Sequence, residues 1–524
     1  MRPPVFCEFL ACKKDWTGAP VCCIVCAMSL KMRIESKKVQ VLAALVLGAL
    51  VSVGFAPLYW WPITFIAWAA FLYILLTRPV CGWLFSFAFG FGTGAVSMAW
   101  IVHALAIENG MFLWAAPFAI GGFGLLFGVF AGLAALPLLK ARTPVRKLFA
   151  FATAWTLLEM LRAVFLTGFP WNLLGSIWVN TPAVLQMAAV GGVYLLSFCS
   201  IIVFGLPVLF VTKKRGLAYS IICVALLCVA LGQMRLVNAQ ENALTGIKVR
   251  LVQPNIPQVL KWNKDEAEKS FLKLIRLSRS DSSVSHILWP EASTQFLLPN
   301  DEGARTMTMQ ALKQGQLLIA GTLRRTETKH YANSIVIIDD LGNIKGVYDK
   351  AHLVPFGEFV PLAEWLPLRK LVQMSEDIQA GPSVKTLRVP NAPAAGFLLC
   401  YEGIFPKQVV QPDTQPKWLI IATNDAWFGN SFGPYQHLAA AQLRAVEEGL
   451  PVVRVANSGI SAVINPYGRI LASLPLDTEG ALDSTIPLAL EGATPFAHTP
   501  LYVYVCIGLA LLLATLYTTK SSRL

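Results

Sequence analysis

A bundle of membrane-crossing helices joined to one α/β domain is the fold class this sequence predicts, and three observations carry that reading. The 524-residue chain is 55% hydrophobic and only 14% charged, with a mean hydropathy of +0.57, far more apolar than a soluble domain. The apolar residues are concentrated before about position 235 and again near the C-terminus. Between them lies a stretch of ordinary globular composition in which short β-rich runs alternate with helical ones.

The first thirty-five residues form a Cys-rich leader (1–35). Cys7, Cys12, Cys22, Cys23 and Cys26 are interrupted by Lys14 and Asp15, which fits neither a signal peptide nor a span. A second Cys-x-x-Cys pair to complete a metal or redox site with Cys23 and Cys26 is missing, and a translation start at Met28 or Met32 is the expectation.

A membrane domain of about seven helices is expected over 36–236. Runs long enough to cross a bilayer, roughly 20 residues each, fall near 40–56, 60–77, 83–103, 112–138, 148–166, 184–211 and 216–234, and an eighth near 500–517, within a C-terminal segment of 498–518. Basic residues mark every second loop: Lys31 to Lys38, Arg78, Lys140 to Lys147, Lys213 to Arg215, then Lys520 and Arg523. Positive loops stay cytoplasmic, so both termini are expected inside and the globular stretch outside. The net charge of +13 is explained by this topology and does not indicate a nucleic-acid partner.

Within the bundle, Gly90, Gly92 and Gly94, and Gly121, Gly122 and Gly124, are expected to let helices pack closely. Glu108, Glu159 and Arg162 sit near span ends, where snorkelling to the interface is the default expectation.

An extracytoplasmic α/β domain is expected over 245–490. Strands are expected at Ile247–Gln253, His286–Trp289, Leu317–Gly321, Ser334–Ile338, Phe397–Leu399, Trp418–Thr423 and Val452–Ala456, with helices at Asp265–Arg279 and Gln436–Glu448. Continuously apolar runs such as Leu419-Ile420-Ile421 suit strands buried on both faces. Of eleven cysteines, Cys400 alone lies here, which excludes a disulfide within the domain.

Three groups with chemistry fall at strand ends, where α/β folds expose side chains to a crevice. Cys400 follows Gly396-Phe-Leu-Leu and opens a turn, although a free Cys is commonly a buried structural residue. Glu291 follows Trp289-Pro290, where desolvation would raise its pKa and suit it as a base; a surface Glu is the plain alternative. Lys350 could stabilise an oxyanion or be a solvated partner of Asp349. Together they supply what a cysteine acyl-enzyme needs: a thiol at a bend, a base and a cation. His437 could pair with the thiol as in papain-like enzymes, but with Glu291 available it is expected to be a structural hydrogen-bonding residue. The other histidines here, at 286, 330 and 352, have no zinc-ligand spacing with Cys400, and a phosphate-binding loop is missing, so neither metal nor cofactor is expected.

Trp289-Pro-Glu-Ala292, Lys350 with His352-Leu-Val-Pro-Phe-Gly-Glu358, and Cys400-Tyr-Glu402 resemble the Glu, Lys and Cys motifs of the nitrilase superfamily. Thr423-Asn-Asp-Ala-Trp-Phe-Gly429, Gly433-Pro-Tyr-Gln-His437, Arg444-Ala-Val-Glu447, Arg454-Val-Ala-Asn-Ser-Gly459 and Gln253-Pro-Asn-Ile-Pro-Gln258, together with the spans, resemble the membrane-embedded apolipoprotein N-acyltransferases over roughly positions 38–518. The resemblance implies an αββα sandwich, with Cys400 as nucleophile, Glu291 as general base, Lys350 as oxyanion partner and Glu358 as a second active-site carboxylate. Glu402, Tyr401 and Trp262 also match family positions; turn support is the plain role for Glu402 and packing for the two rings. Trp427 and Phe428 could line the lipid entrance or simply pack.

The activity implied is transfer of a fatty acyl chain from a phospholipid to the N-terminal amine of a diacylglyceryl-cysteine apolipoprotein, through a cysteine thioester, at the bacterial inner membrane with the catalytic domain in the periplasm. A membrane-tethered amidohydrolase using the same three residues is the alternative.

Overall fold

The computed structural model describes residues 36–107, 110–239, 244–280, 283–360, 378–411 and 414–517. The Cys-rich leader and Glu108 lie outside the described residues. A helix stands in each of the eight expected windows: α1 (Lys37–Val51), α2 (Trp61–Thr77), α3 (Gly82–Ser97), α4 (Ala116–Ala134), α5 (Pro144–Arg162), α6 (Ala188–Phe204), α7 (Arg215–Val237) and a C-terminal helix, Leu501–Leu516. Among the described residues four stretches are long and apolar enough to cross a membrane, Lys37–Gly54, Leu113–Leu139, Ala188–Val211 and Arg215–Val237, while Trp61–Thr77 and Leu501–Leu516 are apolar but shorter. The α5 helix begins four residues before its apolar window because the Thr143 hydroxyl accepts from Arg146 N–H and Pro144 fits the first turn.

Glycines decide how closely these helices approach. A Cβ at Gly92 of α3 would lie 2.2 Å from the Leu45 carbonyl oxygen of α1, and one at Gly90 would lie 2.5 Å from the Phe127 carbonyl oxygen of α4. The expectation therefore holds for Gly90, Gly92, Gly94 and Gly124 but not for Gly121 and Gly122, around which there is nothing within 4 Å. Exposed aliphatics cover α7, among them Val224, Leu226, Leu227 and Leu231, a surface that suits lipid rather than water.

The globular part is a four-layer αββα sandwich. One sheet has the order β12-β1-β2-β3-β4-β5 and the other β11-β10-β9-β8-β7-β6. The first contains β1 (Leu244–Gln253), β2 (His286–Trp289), β3 (Leu317–Arg325), β4 (Tyr331–Asp339), β5 (Ile344–Asp349) and β12 (Gly480–Pro487); the second β6 (Lys385–Leu387), β7 (Ala395–Leu399), β8 (Trp418–Thr423), β9 (Val452–Ala456), β10 (Ser461–Ile464) and β11 (Ile470–Leu474). The central strands run parallel, β1-β2-β3 in one sheet and β7-β8-β9 in the other. Their inner faces meet in one core of Val249, Leu251, Leu288, Ile319, Ile337, Phe397, Leu399, Ile420 and Val453. Helices α8 (Lys264–Ser278) and α9 (Glu302–Met309) cover one outer face and α10 (Gly433–Glu448) the other. Asn263 caps α8 through Asp265 N–H, and Asp265 and Glu266 complement its dipole. Strands β2, β8 and β9 have the bounds the sequence predicts. The unpredicted strands are β5, β6, β10, β11 and β12; of these β5, β6, β11 and most of β12 are only partly buried and so lack the apolar run that signals a central strand.

The two parts interlock. Helix α6 breaks at Gly191 and Gly192, the latter at φ +64, where the Phe496 ring occupies the space a Cβ would need. The Val193 N–H freed by this break donates to Glu447 of α10 at 2.8 Å, as buried backbone in a membrane helix requires. Glu447 is held in turn by Arg444 at 2.7 Å.

Replacing Gly92 by Ala should force α1 and α3 apart and destabilise the protein by about 1–3 kcal/mol, whereas Gly121→Ala should be neutral or stabilising. Thermal unfolding of both variants in the same detergent checks this; equal midpoints would contradict the packing described.

Candidate active site

Three strand ends converge where the two sheets face each other. Glu291 follows β2 across Pro290, and the backbone passes so near β3 that a Cβ at Gly321 would lie 2.2 Å from the Pro290 carbonyl oxygen. Lys350 follows β5 and is 1% exposed. Its predicted neighbour Asp349 pairs instead with Arg324 at 2.6 Å, which leaves the Lys350 ammonium to turn inward. Cys400 follows β7 with φ +48, a strained conformation for a residue with a Cβ and one associated with functional bends.

Glu402 fixes two of these ends at once. One carboxylate oxygen accepts from the Ala351 and His352 N–H groups at 2.7 and 3.0 Å, the other from Leu399 N–H at 2.7 Å, and the Tyr348 hydroxyl donates at 2.7 Å to both. The turn after Lys350 and the residue before Cys400 are thereby tied to one carboxylate. Burial raises the Glu402 pKa, against the pull of its backbone donors and Tyr348.

The Lys350 Nζ lies 3.0 Å from Glu291 Oε1 and 3.0 Å from Glu358. Asn333 donates to the same two carboxylates at 2.8 and 3.0 Å, and Asn424 N–H donates to the other Glu291 oxygen at 3.1 Å. Burial alone would raise the Glu291 pKa, as the sequence suggests, but the charges of Lys350 and Lys261 and the hydrogen bonds of Lys350 and Asn333 outweigh it, and the carboxyl is held below its ordinary range. This corrects the expected raised value: the cations that oppose desolvation are distant in sequence. Lys350 is correspondingly held well above an ordinary lysine, because the carboxylates Glu291 and Glu358 outweigh its own desolvation. The Cys400 thiol is pushed up by burial and by the Glu291 charge, with Lys350 pulling the other way. The resting site is thus a protonated thiol beside a Glu–Lys ion pair.

Beneath Cys400, His437 Nε2 lies 3.1 Å from the Cys400 main-chain oxygen and Nδ1 lies 2.9 Å from Asp425. Asp425 also accepts from Arg454 at 2.5 Å and from the Thr423 hydroxyl at 2.9 Å. Cys400 Sγ, an Asp425 oxygen and a His437 nitrogen lie within 4.8 Å of one another, close enough to hold a metal ion, but the Asp425 oxygens are already engaged by a guanidinium, a hydroxyl and the imidazole. The arrangement therefore supports the bend at Cys400 and is not available as a ligand set.

Membrane-side residues reach the same place. The Tyr401 hydroxyl donates to the Gly168 carbonyl at 2.7 Å, and His352 Nε2 lies 2.6 Å from the Thr167 carbonyl. Trp100, Trp171 and Asn172 all donate to Gln436, beside His437, at 3.1, 2.8 and 3.1 Å. Phe428 packs edge-on against Trp100 and Trp171 at 4.6 and 5.7 Å. Trp427 is half-buried and Trp262 is exposed on the loop ahead of α8. Glu159 and Arg162 do not snorkel: both are buried, Glu159 accepting from Leu174 N–H at 2.8 Å and Arg162 donating to the Phe169 and Trp171 carbonyls at 3.0 and 2.9 Å. They hold the segment that carries Trp171 and Asn172.

The structure thus brings together Glu291, Lys350, Glu358, Cys400, Glu402 and Tyr401. It adds Asn333, Lys261, Asn424, Asp425 and Arg454, which sequence reading did not single out. Asn424, Asp425 and Arg454 stand inside motifs already noted, whereas nothing in the spacing marks Asn333.

Two predictions follow from this geometry. Glu402→Ala would orphan three buried N–H groups, each costing about 1–3 kcal/mol, and should lower the unfolding midpoint; a variant as stable as the unsubstituted protein would refute the clamp. Because the Glu291 carboxyl is held below its usual range, the carboxylate infrared band that Glu291→Gln removes should be as strong at pH 5 as at pH 7. A carboxyl with a raised pKa would instead lose that band across the interval.

Residues 248–496 match the family model described as carbon-nitrogen hydrolase, and residues 47–206 match that of the apolipoprotein N-acyltransferase N-terminal domain. The chain is 34% identical over 480 residues to an apolipoprotein N-acyltransferase of Rhodopseudomonas palustris, covering 85% of this chain and 89% of that one. It is 35% identical over 518 residues to one of Bradyrhizobium diazoefficiens, covering 91% and 94%. A carbon-nitrogen hydrolase structure from Helicobacter pylori G27 aligns at 16% identity and a TM-score of 0.35, covering 46% of this chain and 88% of that one. With both family models matched in tandem and more than a third of the residues shared over nearly the whole length of the Bradyrhizobium relative, the chain belongs to the apolipoprotein N-acyltransferase family.

Proposed function

We propose that this protein transfers a fatty acyl chain from a phospholipid ester to the α-amine of a diacylglyceryl-cysteine apolipoprotein, through a thioester on Cys400. The observation that carries this reading is the convergence of Glu291, Lys350 and Cys400 in a site whose flanking residues His352, Tyr401 and Gln436 are hydrogen-bonded to membrane-side segments. A soluble amidohydrolase has no use for such a connection, and a lipid substrate does.

In the first half-reaction Cys400 sulfur attacks the ester carbonyl while Glu291 takes the thiol proton. The thiol's raised pKa means that sulfur gives up its proton as it attacks and does not rest as thiolate. Lys350 spends two N–H groups on Glu291 and Glu358, leaving a third for the oxyanion, joined by the Tyr401 main-chain N–H. Collapse breaks the ester C–O bond, and the Glu291 proton passes to the departing lysophospholipid oxygen. In the second half-reaction the acceptor amine attacks the thioester, Glu291 moves a proton from nitrogen to sulfur, and the amide leaves. Glu358 and Asn333 hold Lys350 and Glu291 in place, Glu402 holds the two turns, and Trp262, Trp427 and Phe428 line the approach for lipid. The alternating basic loops support cytoplasmic termini and a catalytic domain on the outer face of the bacterial inner membrane.

Purified protein incubated with a defined phospholipid should gain an acyl mass on the Cys400 peptide, and adding a diacylglyceryl-cysteinyl peptide should remove it. Cys400→Ser should not form the thioester. A thiol that remains unmodified in folded protein would overturn the reading, and release of ammonia from small amides would put an amidohydrolase in its place.

A further inference from the structure

One imidazole grips the peptide that follows the nucleophile. His437 Nε2 lies 3.1 Å from the Cys400 main-chain oxygen. A carbonyl oxygen can only accept, so Nε2 carries hydrogen and donates. Across the ring, Asp425 Oδ1 lies 2.9 Å from Nδ1, and Asp425 is itself anchored by Arg454 at 2.5 Å and by the Thr423 hydroxyl at 2.9 Å. The Trp171 and Phe428 rings flank the imidazole at 5.6 and 6.0 Å. A ring that is buried and engaged at both nitrogens keeps one orientation.

The same peptide carries the main-chain donor that the acyl transfer needs. The Cys400–Tyr401 peptide is trans, which points its C=O and its N–H in opposite directions within one plane. Holding the carbonyl toward His437 therefore fixes the direction of the Tyr401 N–H, away from the imidazole. Among the described residues that N–H finds no acceptor, although Tyr401 is buried. Buried main-chain donors are almost always paired, so this one is kept for a group that enters the site. Cys400 stands at φ +48, a conformation that persists only where its neighbours hold it. Glu402 ties down the residue before Cys400, and His437 the peptide after it.

Resting on the two-step reading above, we propose that His437 is a positioning residue for the oxyanion: by gripping the Cys400 carbonyl it aims the Tyr401 N–H at the oxygen of the ester or thioester under attack. His437 itself touches neither the substrate nor a transferred proton. A donor on the carbonyl also polarises the peptide, and hydrogen bonds linked in this way strengthen one another, which improves the Tyr401 N–H as a partner for developing charge. Asp425 and Arg454 act through the ring, keeping Nε2 on the carbonyl. Gln436, the preceding residue, is the point on which Trp100, Trp171 and Asn172 converge, so the aim of the oxyanion donor is braced by the membrane part of the chain.

Two reactions of the same sulfur, compared in the full-length protein in detergent, provide the test. Acylation by a phospholipid passes through an oxyanion, whereas alkylation by iodoacetamide displaces iodide from a saturated carbon and forms none, so only the first depends on the Tyr401 N–H. Gln and Met are alike in length, and of the two only Gln offers an N–H where Nε2 stands. His437→Met should acylate Cys400 about a hundredfold slower than the unsubstituted protein yet be alkylated at the same rate, both read by mass spectrometry on the Cys400 peptide. His437→Gln should restore most of the acylation rate. If the Met variant does not fold, His437→Asn, which reaches Asp425 but not the Cys400 carbonyl, takes its place. Acylation by the folded Met or Asn variant at the unsubstituted rate, alkylation slowed in parallel, or a folded Gln variant as slow as the Met variant would overturn the proposal; the parallel loss would assign His437 to placing the sulfur. Absence of the thioester in the unsubstituted protein would instead remove the two-step reading, and this proposal with it.

Discussion

The buried carboxylate of Glu402 is the interaction on which the site depends. It accepts from N–H groups on both sheets, two just after Lys350 and one just before Cys400. Backbone N–H groups at such turns would otherwise be left unpaired inside the protein. One side chain therefore ties together the turns that carry the Lys350 ammonium and the Cys400 thiol, and it does so from a position of negligible freedom, since it is 1% exposed and further held by Tyr348. The strain at Cys400, with its positive φ, is sustained by this clamp from one side and by His437 and Asp425 from the other.

Around that frame the charges are arranged in alternation, carboxylate against ammonium. Glu291 and Glu358 share Lys350 and Asn333, and Lys261 donates to the Glu291 main-chain oxygen. In a dry site such pairs persist only where each partner is satisfied, and here the amide of Asn333 and the Asn424 N–H complete the shell. The consequence is a resting thiol kept neutral beside a carboxylate kept ionised.

The membrane helices contribute more than attachment. Glu447 of α10 completes the backbone of the broken α6 helix, while Trp100, Trp171 and Asn172 converge on Gln436 next to His437. Glu159 and Arg162, buried within the helical part, clamp the segment that supplies Trp171. Ionisable side chains at such depth are costly unless they are paired with backbone or with each other, and these are used to hold a loop in the geometry the catalytic domain needs.

The sequence by itself determined the division into apolar helices and an α/β domain, because helix length against bilayer thickness and continuous apolar strands are local properties of the chain. It also marked Glu291, Lys350 and Cys400, since each ends an apolar run. What it left open had a common physical origin. The edge strands β5, β6, β11 and β12 are half-exposed and lack a strong pattern, and Gly121 differs from Gly92 only in which neighbour stands across from it. The Glu291 pKa moved opposite to expectation because Lys261 and Lys350, thirty and fifty-nine positions away, are brought to it only by the stacking of two sheets. Burial, charge proximity and the pairing of Glu159 and Arg162 with a loop are properties of contacts between segments distant along the chain, and only the tertiary structure decides them.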